Sequence, residues 1–337
     1  MVKIGINGFG RIGRSAFKIA MRYKDEIEIV GINDITSAKN MAHLLKYDSI
    51  YGRMNAEVSY DDTHIIVDGK KYPYFCEKDV TRVDWDALGA DIVVEASGKY
   101  IDADKARVEL GGSVKKVLIT APAQHEDLTI VLGVNDDAYD PVKHNVISGA
   151  SCTTCVLAAI LKLMNDTYGV VRGMTTSIHS YTNDQKILDV SHKDLRRARA
   201  AAVSIIPTTT GAAQAITKVL PEYAGKMSCY AVRVPTPDVS IVDIVLELDT
   251  EVTAEELKRT FKEAAAGPFK GIIDWTEDEL VSVDFRGNEN TTTIDLPLNI
   301  TMEGGMVKIL AWYDNEWGYA RRVIDLVKFL ARKGFCH

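Results

Sequence analysis

The sequence predicts an α/β protein with an N-terminal doubly wound parallel sheet, followed by an α+β domain with a mixed or antiparallel sheet. Two patterns along the chain carry this prediction. Up to about residue 150, short β-branched runs alternate with loops or helical stretches, which is typical of a parallel sheet. After that point, longer runs alternate apolar and polar residues with period two, as strands with one covered face do.

The length of 337 residues agrees with two domains of ordinary size. We place them at 1–150 and 151–315, with a C-terminal helical segment, 316–337, packing back on the first domain. The net charge of −7 argues against nucleic acid as the primary partner, and no apolar run reaches the roughly 18 residues of a membrane span. The chain does not start like a signal peptide, so we expect a cytoplasmic location. Five scattered cysteines do not resemble a disulfide framework, and no metal site is predicted.

The first strand runs directly into a glycine-rich turn. Residues 2–7 read as a buried strand, and the G-x-G-x-x-G segment after them opens an amphipathic helix. Glycines at these places permit a tight turn and let the backbone approach a pyrophosphate at the helix N-terminus. A second strand, 27–32, precedes Asp34, where a carboxylate accepts hydrogen bonds from ribose hydroxyls. These features predict a dinucleotide-binding Rossmann domain whose cofactor contacts include Gly8, Gly10, Arg11, Ile12, Gly13 and Asp34.

The remaining runs of the first half continue the same sheet. They lie at residues 91–96, 116–120, 129–132 and 145–148. Ser97, Gly98 and Thr120 fall at the carboxyl ends of such strands, where ligands of doubly wound sheets bind. We therefore assign these three residues to cofactor contact, although each alone could belong to an ordinary turn.

A cysteine stands where the next helix begins. In Ser151-Cys152-Thr153-Thr154-Cys155, the thiol of Cys152 lies at a helix start, where unpaired N–H groups and the helix dipole favour an anion. They should lower the pKa of the thiol and populate the nucleophilic thiolate. The alternative is a small, buried and inert side chain, because free cysteines are usually of that kind. This segment alone does not decide between the two.

The second half contains long strand patterns and helices. The strand patterns cover 174–179, 227–234, 240–248 and 306–313, and the helical ones cover 211–220, 253–266 and 317–334. Between the first two strands, the polar stretch 180–204 contains a basic cluster, 193–199. A stretch that long is functional or disordered, and its regular small and apolar residues favour order. We interpret the cluster as a solvated or subunit-contact surface rather than an anion site.

Five segments resemble the phosphorylating glyceraldehyde-3-phosphate dehydrogenase family. They read INGFGRIGR, ASCTT, HSYT, SHKDLRRAR and WYDNEWGY, and they are spread over essentially the full length of the chain. The resemblance implies a glycolytic or gluconeogenic enzyme that converts D-glyceraldehyde 3-phosphate to 1,3-bisphosphoglycerate. In that reaction Cys152 attacks the aldehyde, a hydride passes to NAD(P), and inorganic phosphate cleaves the resulting thioester.

The resemblance also implies roles for other residues. His179 is the base paired with Cys152, and as an imidazolium it would lower the pKa of the thiol. Asn315 holds the nicotinamide carboxamide. The substrate phosphate is bound by Thr182, Asp184 and Arg233, with Asp184 orienting Arg233 or the substrate hydroxyl. The attacking phosphate is bound by Ser151, Thr153, Thr210 and Gly211. The family is homotetrameric.

The chain departs from the family pattern at Cys155. The family usually reads Ser-Cys-Thr-Thr-Asn-Cys, so an asparagine is lost and the second cysteine moves one position closer to Cys152. The resulting C-x-x-C has the spacing of dithiol redox motifs, which suggests a reversible disulfide with Cys155 as redox partner. The other interpretation, which we favour, is a small side chain tolerated in place of the asparagine.

Two features bear on the cofactor. Asp34 favours NAD, because a carboxylate repels a 2′-phosphate. Val190-Ser191 instead resembles relatives that accept NADP, since strict NAD users often have leucine and proline there. We predict NAD as the preferred cofactor, with NADP use allowed.

Two other functions fit parts of the pattern. Erythrose-4-phosphate dehydrogenase shares most of the same residues and need not require phosphate. A redox-sensing or interaction protein could use the same nucleotide-binding scaffold with reduced activity. The intact set of Cys152, His179, Arg233 and Asn315 argues against the second alternative.

Overall fold

The computed structural model describes residues 1–335 and separates into two compact units. Unit 1 contains residues 1–132, 136–151 and the chain from 320 onward, and unit 2 contains residues 133–135 and 152–319. Cys336, one of the five cysteines, lies outside the described residues. Within residues 1–335, no helix is both long and apolar enough to cross a membrane.

The helices alternate with strands along the first unit and continue into the second. Their bounds are α1 Arg11–Ala20, α2 Ala38–Lys46, α3 Ala103–Ala106, α4 Cys152–Tyr168, α5 Ala212–Val219, α6 Ala254–Ala266 and α7 Trp317–Lys333. In unit 1, α7 packs through its C-terminal half, where Lys328 forms a 2.8 Å ion pair with Glu26 and Phe329 lies edge-on against Tyr139. The apolar stripe of α7 is therefore buried in unit 1.

Unit 1 is built on one large sheet. Its strands are β1 Val2–Asn7, β2 Ile27–Asn33, β5 Val58–Tyr60, β6 His64–Val67, β7 Lys70–Phe75, β8 Ile92–Glu95, β9 Lys116–Ile119, β10 Leu128–Thr129 and β11 Val146–Ser148, while β3 Tyr47–Asp48 and β4 Gly52–Arg53 pair separately. The order is β10-β11-β9-β8-β1-β2-β7-β6-β5, parallel from β10 to β7 and antiparallel at the β6 and β5 edge.

The central strands of this sheet bring three polar side chains together at their carboxyl ends. Strand β1 pairs with β2 on one side and β8 on the other, so Asn7 lies between Asn33 and Glu95 at the carboxyl ends. Ile4 and Ile6 are fully buried in the same strand. The apolar core thus fixes the register that brings three polar side chains together.

Unit 2 contains a mixed sheet. Its strands are β12 Val170–Ser180, β13 Ile206–Thr208, β14 Met227–Val234, β15 Ser240–Leu248, β16 Ile273–Thr276, β17 Thr292–Asp295, β18 Ile300–Met302 and β19 Met306–Tyr313. The order is β13-β14-β12-β15-β19-β17-β16, with β18 on β19. Strands β12 and β14 are parallel, and their register places His179 beside Arg233. Both the parallel first sheet and the mixed second sheet of the predicted fold class are confirmed.

The structure differs from the sequence prediction in detail. The predicted strand 129–132 is reduced to β10, because the chain turns away after Thr129. The hairpin strands β5 to β7 and helix α2 were not predicted. The stretch 181–205 has neither α-helix nor strand; it is held by contacts such as the 2.8 Å Arg199–Asp189 ion pair. The expected order of that stretch agrees with these contacts.

Candidate active site

The glycine turn shows which glycines the fold needs and which leave room. Gly8 has a φ of +95°, and a Cβ there would lie 2.3 Å from the backbone N of Ser97. A Cβ on Gly13 would lie 2.1 Å from the carbonyl oxygen of Gly8. A Cβ on Gly10 would meet nothing within 4 Å, although Gly10 directly precedes α1. The open space at Gly10 suits the close approach of a ligand phosphate to a helix start.

Substitutions in this turn should separate folding from cofactor binding. Gly8→Ala should lower the free energy of unfolding by at least about 2 kcal/mol, because it adds both strain and a backbone clash. Gly10→Ala should leave the Tm nearly unchanged but weaken NAD binding by about tenfold or more. Thermal unfolding and NAD titration of both variants test this. Normal NAD binding by Gly10→Ala would contradict the assignment.

A pocket of about 280 Å³ opens beside this turn in unit 1. Gly8, Gly10, Asp34 and Ser97 line it. The carboxylate of Asp34 accepts hydrogen bonds from the N–H of Phe9 at 2.7 Å and of Thr36 at 3.1 Å. Asp34 is thus oriented by the glycine turn itself.

The other predicted cofactor residues of unit 1 do not line this pocket. The side chain of Arg11 donates a 2.9 Å hydrogen bond to Asp48. The backbone N–H of Arg11 is at the start of α1, where a phosphate could bind it. Ile12 is half-buried in the first turn. Gly98 has a φ of +70°, and the hydroxyl of Thr120 donates to the carbonyl of Glu95 at 3.1 Å. Gly98 and Thr120 are outside the lining set of the pocket.

Unit 2 brings the predicted nucleophile and base together. Cys152 is the first residue of α4 and is half-buried, and its Sγ lies 3.6 Å from Nε2 of buried His179. His179 comes from the end of β12. Two elements that are distant in sequence therefore place a thiol within reach of an imidazole nitrogen.

Two contacts meet at the other nitrogen of His179. Nδ1 lies 2.7 Å from the carbonyl oxygen of Ser180 and 2.8 Å from Nη1 of Arg233, which also donates to that carbonyl at 3.1 Å. A hydrogen bond to the carbonyl requires a proton on Nδ1, whereas a hydrogen bond from the guanidinium requires a lone pair on the same atom, so each tautomer of His179 makes only one of the two. The tautomer with the proton on Nδ1 leaves Nε2 unprotonated toward Cys152, as a general base must be.

The protonation of this pair differs from the expectation. Burial, with the charge of Arg233 as the second cause, lowers the pKa of His179 to about 3. Burial also raises the pKa of the Cys152 thiol, although the Thr153 hydroxyl and Arg233 oppose this shift. Both shifts favour a neutral thiol and a neutral imidazole in this geometry, in contrast to the thiolate–imidazolium pair that the family resemblance predicts. The physical reason is that burial penalises both charges, with a guanidinium already beside the ring.

Tyr313, which the sequence did not single out as a functional residue, contacts three residues around the thiol–imidazole pair. Tyr313 Oη lies 2.9 Å from Thr153 Oγ1 and 3.1 Å from Ser177 Oγ, and its ring is edge-on to that of His179. Its presence in the WYDNEWGY segment was the available signal. Because the Thr153 hydroxyl contacts Tyr313, this residue links α4 to the sheet.

Asp184 has partners other than the expected one. Its carboxylate lies 2.5 Å from Nη1 of Arg197 and 3.4 Å from Nε2 of His192, so it orients Arg197 rather than Arg233. Arg197 also donates to the Thr208 hydroxyl at 2.8 Å. One arginine of the basic cluster 193–199, which the sequence analysis interpreted as a surface, therefore lies beside Asp184 and Thr208.

The remaining predicted phosphate residues of unit 2 lie on loops and a helix start. Thr182 N–H donates to the side chain of Gln185 at 3.3 Å. The Thr210 hydroxyl accepts from the N–H of Ala212 at 3.2 Å, directly beside Gly211, which precedes α5. Ser151 is the last residue of its segment in unit 1, directly before α4.

Asn315 is buried in unit 2 and has a fixed orientation. Its Oδ1 accepts a 2.7 Å hydrogen bond from the hydroxyl of Ser240, whose oxygen accepts from the N–H of Ser180. The amide is thereby held next to the end of β12, the strand that contains His179.

Cys155 lies in the first turn of α4 and is only 4% exposed. Side chains three apart on a helix are neighbours, with Cβ atoms about 5–6 Å apart. That spacing is a little longer than the roughly 3.5–4.5 Å of a disulfide, so only a modest local adjustment is needed.

The disulfide hypothesis makes a direct prediction. Hydrogen peroxide should oxidise the two thiols to one disulfide, with two waters as the other product, and a thiol reductant should restore activity. In Cys155→Ser the same treatment should give no intramolecular linkage, which peptide mapping measures. Cys229→Ser serves as the matched control. Absence of a Cys152–Cys155 peptide from the oxidised wild type would reject the switch.

The parallel sheet with its glycine turn in unit 1 is typical of nucleotide-dependent oxidoreductases, and the thiol–imidazole pair of unit 2 is an arrangement that suits nucleophilic catalysis. Comparisons with known proteins agree. Residues 2–103 match the NAD binding domain, and residues 151–315 the C-terminal domain, of glyceraldehyde 3-phosphate dehydrogenase. The chain belongs to the glyceraldehyde-3-phosphate dehydrogenase family, which confirms the predicted family and NAD as cofactor.

Named relatives match over nearly their whole length. Glyceraldehyde-3-phosphate dehydrogenase 1 of Bacillus cereus is 54% identical over 99% of this chain and 100% of the relative. The Geobacillus stearothermophilus enzyme is 54% identical over 99% of both chains. The Streptomyces coelicolor enzyme is 50% identical over 98% of this chain and 99% of the relative.

Proposed function

We propose that this protein oxidises D-glyceraldehyde 3-phosphate to 1,3-bisphosphoglycerate in glycolysis or gluconeogenesis. The observation that carries the proposal is the 3.6 Å contact between Cys152 Sγ and His179 Nε2, with Arg233 on the far side of the ring. Bound NAD supplies the hydride acceptor. Inorganic phosphate is the second substrate.

The roles of the thiol and the imidazole follow from this geometry. His179 Nε2 takes the thiol proton while Cys152 Sγ bonds to the aldehyde carbon, and the carbonyl oxygen is protonated to a hemithioacetal. When that carbon gives up its hydride, Nε2 accepts the hydroxyl proton, which leaves a thioester on Cys152. Attack by a phosphate oxygen then releases the acyl phosphate and the thiolate.

Two anion sites complete the proposal. Arg233 and Thr182 bind the substrate phosphate, since a guanidinium offers a fork of donors. Burial and, second to it, the charge of Arg233 lower the pKa of His179 in the free protein, so an anion on Arg233 would raise the basicity of Nε2. The attacking phosphate binds Thr210 and the start of α5 at Gly211, with Ser151, Thr153 and Arg197 as further donors.

The carboxylate of Asp34 supports NAD over NADP, because it would face a 2′-phosphate. Asn315 offers the donor and acceptor that a nicotinamide carboxamide needs, and its hydrogen bond from Ser240 holds one orientation. We assign both residues to cofactor binding and allow NADP use at lower efficiency.

We also propose a homotetramer in the cytoplasm. The support is the apolar surface of the stretch 181–205, where Ile187, Leu188 and Leu195 are 86%, 74% and 82% exposed. Several large aliphatic side chains exposed within one short stretch favour burial against another subunit. Sedimentation measures the subunit number.

One assay tests the proposed reaction. Reduction of NAD and of NADP is measured separately, with and without phosphate, on glyceraldehyde 3-phosphate and on erythrose 4-phosphate. We expect phosphate-dependent turnover of glyceraldehyde 3-phosphate with NAD preferred. Phosphate-independent turnover of erythrose 4-phosphate would favour the sister activity. NAD binding without turnover would favour a redox-sensing or interaction role.

A further inference from the structure

Two glutamates are buried together beneath the nucleotide pocket of unit 1. Glu95 ends β8 and is 2% exposed, and Glu109 lies in the short turn after α3 and is 5% exposed. Neither is used by the proposed reaction. Buried carboxyl groups are expensive unless they are paired or protonated, so this pair requires an explanation.

An asparagine connects the two glutamates. The amide nitrogen of Asn7 donates one hydrogen bond to Glu95, at 2.5 Å, and another to Glu109, at 2.9 Å. Asn7 accepts in turn from Asn33 at 2.8 Å, and Asn33 exchanges two hydrogen bonds with the backbone of Glu77. Asn7, Asn33 and Glu77 all line the pocket, so the network reaches from the glutamates to its wall.

Glu95 also holds the opposite wall. Its second oxygen accepts from the N–H of Ser97 at 2.7 Å and from the Ser97 hydroxyl at 2.6 Å. The three donors on Glu95 match an ionised carboxylate, which only accepts hydrogen bonds. Glu95 thus fixes the loop that begins with Ser97 beside the glycine turn.

Glu109 has the pattern of a neutral acid. Oε1 accepts from Asn7, whereas buried Oε2 has no hydrogen-bond partner among the described residues. Burial and the neighbouring Glu95 raise the pKa of Glu109 well above its ordinary value. A proton on Glu109 would let this carboxyl group donate to the neighbouring Glu95 carboxylate and would remove one of two adjacent negative charges.

The basic side chains on the elements next to Glu95 and Glu109 have other partners. Arg107, on the same turn, pairs with Asp104 and Asp127, and exposed Arg82 lies 4.0 Å from the carboxylate of Glu77. Lys116 of β9 donates to the carbonyls of residues 141 and 144. Burial raises the pKa of both glutamates, but at Glu95 the hydrogen bonds from Ser97 and Asn7 oppose this shift, whereas at Glu109 the charge of Glu95 adds to it.

We propose that Glu95 and Glu109 share one proton and act as positioning residues for the cofactor, with neutral Glu109 keeping the Glu95 carboxylate on Asn7 and Ser97. A carboxyl group with a raised pKa in the folded protein contributes stability at low pH, and this contribution is lost as pH rises through the folded-state pKa. Removal of the shared proton would put two charges behind the pocket. NAD affinity should therefore fall on the alkaline side.

Substitutions at Glu109 test the proposal through NAD binding alone, without any turnover. Glu109→Gln keeps a neutral donor of the same shape, so NAD affinity should stay within about twofold of wild type and lose its alkaline decline. Glu109→Ala removes one of the two acceptors of the Asn7 amide, leaves one of its buried N–H groups unpaired, and should weaken NAD binding about tenfold. Glu57→Gln, an exposed change in the same unit, is the matched control and should change neither property.

Infrared spectroscopy provides a readout that a purely structural role would not move. At a pH where ordinary carboxyl groups are ionised, the wild type should show the carbonyl band of one buried protonated carboxyl group, and Glu109→Gln should lack it. The proposal is overturned if that band is absent from the wild type or survives in Glu109→Gln. It is also overturned if Gln and Ala at position 109 weaken NAD binding equally. Should Glu109→Ala fail to fold, the infrared comparison and the pH profile of Glu109→Gln still decide.

Discussion

Cys152→Ser should lower kcat by about 10⁴-fold or more while NAD binding and Tm stay close to wild type. The reason is that the proposed reaction passes through a covalent adduct on Sγ, and an alcohol 3.6 Å from a neutral imidazole is a far weaker nucleophile than a thiol. Steady-state cofactor reduction and NAD titration measure the two properties separately.

A second cysteine provides the control for this substitution. Cys229→Ser changes a half-buried thiol on β14 that lies opposite Thr175, four residues before His179 along β12, so it should keep nearly full activity. Substantial turnover by Cys152→Ser, or a loss in Cys229→Ser as large as in Cys152→Ser, would remove Cys152 from its proposed role.

His179→Gln should reduce kcat by about 10²- to 10⁴-fold, because the thiol and the hemithioacetal hydroxyl both lose their proton acceptor. His64→Gln, a substitution of a partly exposed histidine on β6, should have little effect. If His179→Gln retained wild-type kcat, another group would have to be the base.

The pH dependence of thiol alkylation tests the state of the pair directly. In this geometry the pKa of Cys152 is raised by burial, and that of His179 is lowered to about 3. The rate of alkylation by iodoacetamide should therefore rise with pH until pH passes the raised thiol pKa. A thiolate–imidazolium pair would instead react at a constant rate from about pH 6 upward, which would restore the expectation from the sequence.

Short-range sequence patterns were sufficient to predict the glycine turn, its flanking strands and two of the helices. The strand of residues 2–7, the glycine turn and Asp34 are close in the chain, and their spacing alone predicted a nucleotide pocket that the structure places around them. The helices at 253–266 and 317–334 were also readable, since caps and apolar stripes are short-range signals. The hairpin strands at 58–75 carried no such clear signal.

For the candidate site, the sequence predicted which residues take part but not how they contact one another. Cys152 and His179 came from motif and family resemblance, but only the tertiary structure shows that their reacting atoms are 3.6 Å apart. The pairing of Asp184 with Arg197 and the bracing by Tyr313 join positions far apart or poorly patterned in sequence. No local rule predicts such contacts, because they depend on which strands become neighbours.

Sequence patterns were therefore enough to predict the two kinds of sheet, the family and the cofactor class, and they singled out Cys152 as the candidate nucleophile. Only the folded chain shows that burial raises the pKa of the Cys152 thiol, that Asp184 pairs with Arg197, and that Glu95 and Glu109 are buried together. The physical reason is that burial and neighbouring charges set a pKa, and both exist only after the chain has folded.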